Sequence, residues 1–142
     1  MCHECSRGAY EAEDVVSLVR RVYAGRVRFH DGDGEIAPGV SVHLIGGHTM
    51  GIQVVRVMTP RGWVVLASDA SHYYANMEQT RPYPIIWSVA EMVEGYAKLR
   101  ALAASPAHII PGHDPLVMAR YPATSPALEG IACRLDVMPK EA

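Results

Sequence analysis

An α+β fold, a β-sheet flanked by helices, is what this sequence predicts, and three observations carry it. Two stretches set apolar residues at helical three- and four-residue steps. The segment between them alternates with strand period and contains a hairpin. Strands that read as buried run out directly into histidine or aspartate. No internal repeat, low-complexity tract or linker divides the 142 residues, so one domain with a real core is expected.

From Glu11 to Tyr23, Val15, Val19 and Val22 share a face beside Leu18, with acidic residues at the start. This predicts an amphipathic helix, stopped at Gly25. Turn-forming Asp and Gly in DGDG then separate two extended runs, and Val40, Val42 and Leu44 alternate with Ser41, His43 and Ile45 as a strand requires. The runs IQVVRVM and WVVLAS, joined by TPRG, read as a hairpin. Its second arm, Trp63 to Ala67, is apolar throughout and so predicts a central strand covered on both faces. The stretch after Asp69, ASHYYANMEQTRPYP, carries two prolines and is expected to be irregular. A long helix is predicted from about Trp87 to Ala103, carrying Val89, Met92, Val93, Tyr96, Leu99 and Leu102. AHII reads as a short buried strand ended by Pro111 and Gly112. Pro115, Pro122 and Pro126 break up the tail, leaving SPALEGIACRL as one last short helix.

Composition excludes several function classes. A formal net charge of −2 with scattered Lys and Arg gives no basic field for nucleic acid or a membrane surface. No apolar run approaches the ~20 residues of a membrane span, and MCHECSRGAYEAED has no hydrophobic signal region, so a cytoplasmic location is expected. The three cysteines, Cys2, Cys5 and Cys133, are an odd number and argue against a disulfide framework. CHEC offers thiolates and an imidazole, but no second pair of zinc ligands lies nearby, so it reads as a frayed end.

Three motifs share one layout, in which a strand ends and a metal-competent side chain follows at once. His48 follows VSVHLI in LIGGHTMGIQ, Asp69 follows WVVLAS, and His113 follows AHII by way of Pro-Gly. A strand fixes position while its loop stays accessible, and two imidazoles with a carboxylate suit zinc. Each has a plainer reading when taken alone. His48 could be a polar turn residue, Asp69 a cap, and His113 a solvated residue in a turn set by Asp114.

The run DGDGEIAPGVSVHLIGGHTMGIQVVRVMTPRGWVVLASDASH, with the later IIPGHDP, resembles the C-terminal half of metallo-β-lactamase-fold hydrolases, nearest the N-acyl homoserine lactonase branch. The resemblance covers about Val27 to Pro122. It implies a metallo-β-lactamase-like αββα sandwich with two zinc ions at the sheet edges: His48 on the first, Asp69 bridging, His113 on the second. It also implies metal-assisted hydrolysis of a lactone or ester carbonyl in a small-molecule substrate. The family's His-x-His-x-Asp-His cluster does not occur in the sequence, so the zinc site is incomplete in this chain. Residues 1–142 are therefore expected to form the C-terminal half of such a domain, inactive alone. The uncovered apolar face of that half would meet a homodimer partner or a separate N-terminal half.

Where family lactonases often carry a tyrosine three residues after the bridging aspartate, this sequence has His72, followed by Tyr73. By that likeness His72 would donate a proton and Tyr73 would hydrogen-bond substrate. Met50, Ile86 and Trp87 are candidates for an acyl-chain groove. Two other functions fit the same residues: a glyoxalase-II-like thioester hydrolase, and a metal-free interaction or regulatory module that kept the scaffold without the chemistry.

Overall fold

The computed structural model describes residues 10–140. The chain divides into two compact units, residues 1–30 and 31–142. In the first, α1 (Ala12–Tyr23) forms where the valine periodicity predicts it. Glu13 and Asp14 lie in its first turn and Arg20 and Arg21 in its last, each sign opposing the nearer pole of the helix dipole. Glu11, expected as the first helical residue, is extended and stands at the N-cap position without a side-chain bond to the helix, and no residue of α1 is buried.

The second unit is built on a five-stranded sheet: β1 (Gly34–Ala37), β2 (Val40–Leu44), β3 (Gln53–Thr59), β4 (Gly62–Ser68) and β5 (Ile109–Pro111), paired in that order. The first three pairings are antiparallel and β4 with β5 is parallel. A parallel pairing needs a long crossover, and α2 (Tyr74–Glu78) and α3 (Val89–Leu102) provide it. Residues 26–30, expected as an extended run, do not pair into the sheet; the turn between β1 and β2 is at Pro38 and Gly39 rather than in DGDG.

Alternation along the strands makes two faces. Val54, Val65 and Ala67 are fully buried in one cluster with Met92, Tyr96 and Leu99 of α3. On the other face Val64 packs with Ile110 and Tyr121. β4 is thus covered on both sides, as its unbroken apolar run predicts. Val40 lies opposite Val57, and Val42 opposite Val55, on that second face; all four are only partly buried.

Two local elements differ from expectation. The proline-bearing stretch after Asp69 contains α2, because Asn76 Oδ1 accepts a hydrogen bond from Tyr73 N at 2.8 Å and satisfies a backbone donor at the helix entry. The tail forms α4 (Leu116–Arg120) directly after Pro115, whose φ of −61° and ψ of −19° already suit a helix start. SPALEGIACRL makes only a single 3-10 turn, Pro126–Leu128, and Gly130 follows with φ +74°. Cys133 carries a free, partly buried thiol, whereas CHEC lies outside the described residues. Among the described residues no helix is long and apolar enough to cross a membrane.

Tyr74 supplies an alkaline-stability prediction. Burial above all, with the neighbouring Tyr121, pushes its hydroxyl up to about 12, although the Arg120 guanidinium 4.2 Å over its ring pulls the other way. A group whose pKa is raised by folding stabilises fully below its unfolded value, near 10, and loses that contribution as pH rises through its folded value. Relative to wild type, Tyr74→Phe is expected to show a flatter decline of unfolding free energy between pH 10 and about 12, measured by urea denaturation.

Candidate metal centre

The glycines before His48 have a steric purpose. Gly47 has φ +95°, and a Cβ there would lie 2.7 Å from both N and Cα of Met92 in α3. Its carbonyl accepts hydrogen bonds from Trp87 N at 2.8 Å and Ser88 N at 3.0 Å. The loop is therefore pressed against the start of α3, with no room for a side chain. His48 Nδ1 lies 2.8 Å from the carbonyl oxygen of Ile85. A carbonyl only accepts, so Nδ1 carries the proton and Nε2 of the neutral ring is left with a lone pair.

Asp69 and His113 are brought together by the ends of β4 and β5. Ser68, the last residue of β4, has φ +47°, unusual for a residue with a side chain. A Cβ on Gly112 would lie 2.7 Å from the Ser68 carbonyl oxygen, so the two loops touch backbone to backbone. Gly112 N donates to Ser71 O at 3.0 Å and His113 N to His72 O at 2.9 Å, carrying strand-like contact past the end of the sheet. The buried Asp114 carboxylate accepts from Tyr74 N and Leu116 N, both at 2.9 Å. It sets the turn, as in the plainer reading of PGHDP, and it also ties that turn to α2. The Tyr83 hydroxyl donates to the backbone carbonyl of Asp69.

The result is one carboxylate facing three imidazoles. Asp69 Oδ1 lies 2.6 Å from His113 Nε2 and 3.3 Å from His72 Nε2, while Oδ2 lies 3.8 Å from His48 Nε2. Asp69, His72 and His113 each offer a ligand atom within 4.8 Å of the others. The His72 ring stacks on Tyr83, with centroids 3.5 Å apart and planes 10° from parallel, and meets His113 edge-on. Burial, followed by the charge of His113, lowers the proton affinity of His72 against the opposing pull of Asp69. The His113 side chain, 57% exposed, leaves one side of the cluster open to solvent.

Tyr73 is exposed beside this cluster, its ring centroid 6.5 Å from that of His72. Met50 and Trp87 are exposed too, whereas Ile86, grouped with them from sequence, packs against the main core and Ile85 is the exposed neighbour. Sequence reasoning missed Tyr83 and the Ile85 carbonyl. Both reach the site through folding of the irregular stretch, and no spacing in RPYPIIW marks them.

No family model and no curated protein matches the sequence. Solved structures do. One is an N-acyl homoserine lactone hydrolase with the product N-hexanoyl-L-homoserine bound at its catalytic metal centre: TM-score 0.56, 28% identity, over 61% of this chain and 35% of that one. A probable metal-dependent hydrolase from Staphylococcus aureus matches with TM-score 0.57 at 14% identity, over 70% of this chain and 35% of its own. A dizinc quorum-quenching lactonase in complex with a homoserine product matches with TM-score 0.53 at 13% identity, over 72% and 36%. At these lower identities the likeness is one of fold. The chain spans about a third of the length of each of these proteins. Its five-stranded sheet with flanking helices is thus part of a metallo-β-lactamase fold, in a lactonase-like relationship to the hydrolases built on it.

Proposed function

We propose that this chain carries the shared-carboxylate half of a zinc-dependent hydrolase centre, which opens lactone or ester bonds when completed. The observation that carries the reading is the division of one carboxylate between two sets of imidazoles, His113 and His72 on Oδ1 and His48 on Oδ2. That donor chemistry fits two zinc ions, with His48 and Asp69 on one and Asp69 and His113 on the other. When bound, zinc supplies Lewis acidity toward a carbonyl oxygen and makes water more acidic.

The protein's own residues divide the remaining work. His48, its Nδ1 held by Ile85, has its Nε2 aimed before any ligand arrives. His72, expected from the resemblance as a proton donor, is held neutral by burial and sits against the same oxygen as His113. A neutral ring there is better suited to lend a lone pair beside His113 than to give up a proton. With it, one ion has the three protein donors usual in catalytic zinc sites and the other has two. The missing donors then come from an N-terminal half or a second copy of the chain. Tyr73 is exposed and free to hydrogen-bond substrate, and Met50 and Trp87 offer apolar surface for an acyl chain. The N-hexanoyl-homoserine product in the 28%-identical hydrolase supports an acyl homoserine lactone over an acyl-glutathione thioester.

Elemental analysis after dialysis against a weak chelator tests the donor set, with about one zinc per isolated chain expected from a three-donor site. Zinc-loaded, completed protein should then open acyl homoserine lactone faster than it cleaves acyl-glutathione. Zinc-free protein under both conditions would overturn the reading. Tyr83→Phe removes the hydroxyl that holds the Asp69 backbone, and is expected to weaken zinc binding by ~10-fold in a competitive chelator titration.

A further inference from the structure

A second constellation lies away from the metal centre, at the start of the sheet. Ser41 and His43 are two residues apart on β2 and so share a face. Ser41 Oγ is 2.9 Å from His43 Nε2, and His43 Nδ1 is 2.9 Å from Asp33 Oδ2. The other oxygen of Asp33 accepts from Leu44 N at 3.0 Å. β1 begins at Gly34, opposite Val42, so the Leu44 amide lies beyond its end and the Asp33 carboxylate takes the place of a strand partner. The acid is thereby fixed by two bonds although its side chain is 64% exposed, while the His43 side chain is only 14% exposed.

The direction of every proton in this chain follows from its donors and acceptors. Hydrogen bonding to His43, then to Leu44, holds the Asp33 carboxyl below the usual carboxylate range, so near neutrality it is ionised and only accepts. Nδ1 of His43 must therefore carry a proton. In the neutral ring Nε2 is left as the acceptor, and the Ser41 hydroxyl must point its proton at it. An oriented acid, an imidazole in the matching tautomer and a hydroxyl donating to it are the three parts by which a serine becomes a nucleophile.

We propose that Ser41 is a metal-independent nucleophile that accepts the acyl group of small activated esters. With p-nitrophenyl acetate, Ser41 Oγ forms a bond to the carbonyl carbon, its proton passes to His43 Nε2, the bond to oxygen breaks to release p-nitrophenolate, and His43 gives the proton up to solvent. Water then attacks the acetyl-serine and gives a proton to the base. The carbon–Oγ bond breaks, Ser41 recovers its proton from His43, and acetic acid leaves and ionises to acetate in solution. Asp33 touches no reacting atom and acts as a positioning residue.

The test uses the full chain in excess chelator, which silences the metal centre and keeps the two readings separable. Acetylation by p-nitrophenyl acetate and phosphonylation by a fluorophosphonate are each mapped by peptide mass spectrometry. In wild type both labels are expected on Ser41. His43→Gln, which keeps a polar side chain, is expected to slow p-nitrophenolate release by ~100-fold or more. Asp33→Asn is expected to lower the acylation rate constant by at least ~10-fold, with little change in the half-saturating ester concentration, and Asp33→Glu to restore part of it. Mapping needs no variant, so a folding defect in any of them leaves the wild-type result decisive. Labels on other residues, no label at all, or a Ser41→Ala protein releasing p-nitrophenolate at the wild-type rate would overturn the proposal.

Discussion

Asp69→Ala is expected to empty both metal positions at once. The substitution removes the carboxylate whose Oδ1 faces His113 and His72 and whose Oδ2 faces His48, leaving three imidazoles with nothing to join them. Removing an outer-shell partner of a zinc ligand costs ~10–100-fold in affinity, and losing a shared ligand should exceed that at each ion. Zinc per chain should fall to background, and hydrolysis by the completed protein should fall with it. Asp69→Asn separates charge from shape. It keeps the bond from Tyr83, which goes to the backbone, but halves the oxygen donors, and should retain less than a tenth of the bound zinc at limiting metal. Zinc content unchanged in both variants would place the metal elsewhere.

Gly47→Ala is expected to have the largest effect on stability among the loop positions, because two penalties fall on one methyl group. A residue with a side chain held at φ +95° costs ~1–3 kcal/mol. A Cβ 2.7 Å from the backbone of Met92 cannot be relieved by turning a rotamer, and overpacking of this kind costs ~1–3 kcal/mol more. The sum, ~2–6 kcal/mol, is comparable to the whole stability of a marginal domain. If the variant folds, α3 or the loop has moved, and the bond from His48 to the Ile85 carbonyl is the first to suffer. The check is a urea midpoint alongside zinc affinity, and a midpoint equal to wild type would show that the close approach is not maintained in solution. Gly112→Ala carries only the contact with the Ser68 carbonyl, and should cost less.

These two glycines also show how far the sequence could be read. The alternation in VSVHLI and the turn TPRG fix β2, β3 and β4, because a period of two sets Val40 and Val42 on one face with Val55 and Val57, and a slip of one residue would turn that whole set to the other face. The placing of His48, Asp69 and His113 at strand ends was legible for the same reason. Which oxygen of Asp69 each histidine faces was not, since it depends on Ser68 turning to φ +47° and on Gly112 meeting its carbonyl. Nor was α2, whose entry rests on one Asn76 side chain rather than on any periodicity. The exchange of Ile85 for Ile86 at the surface has a similar origin. In a proline-bounded segment no repeat decides which of two adjacent isoleucines turns inward.

The parallel pairing of β5 has a consequence for the order in which the molecule forms. β2, β3 and β4 are joined by short connections and can zip together through local contacts, whereas Val65 finds Ile109 only after the whole crossover between them has been ordered. Closing a loop of that length costs entropy that only the finished α3 packing and the β5 bonds repay. Asp69 sits at the end of the early-forming hairpin and His113 just past the late-arriving strand. The two are therefore expected to meet late in folding, and an ion held between them is expected to slow unfolding by bracing that late contact, which a slower unfolding rate in zinc than in chelator would check.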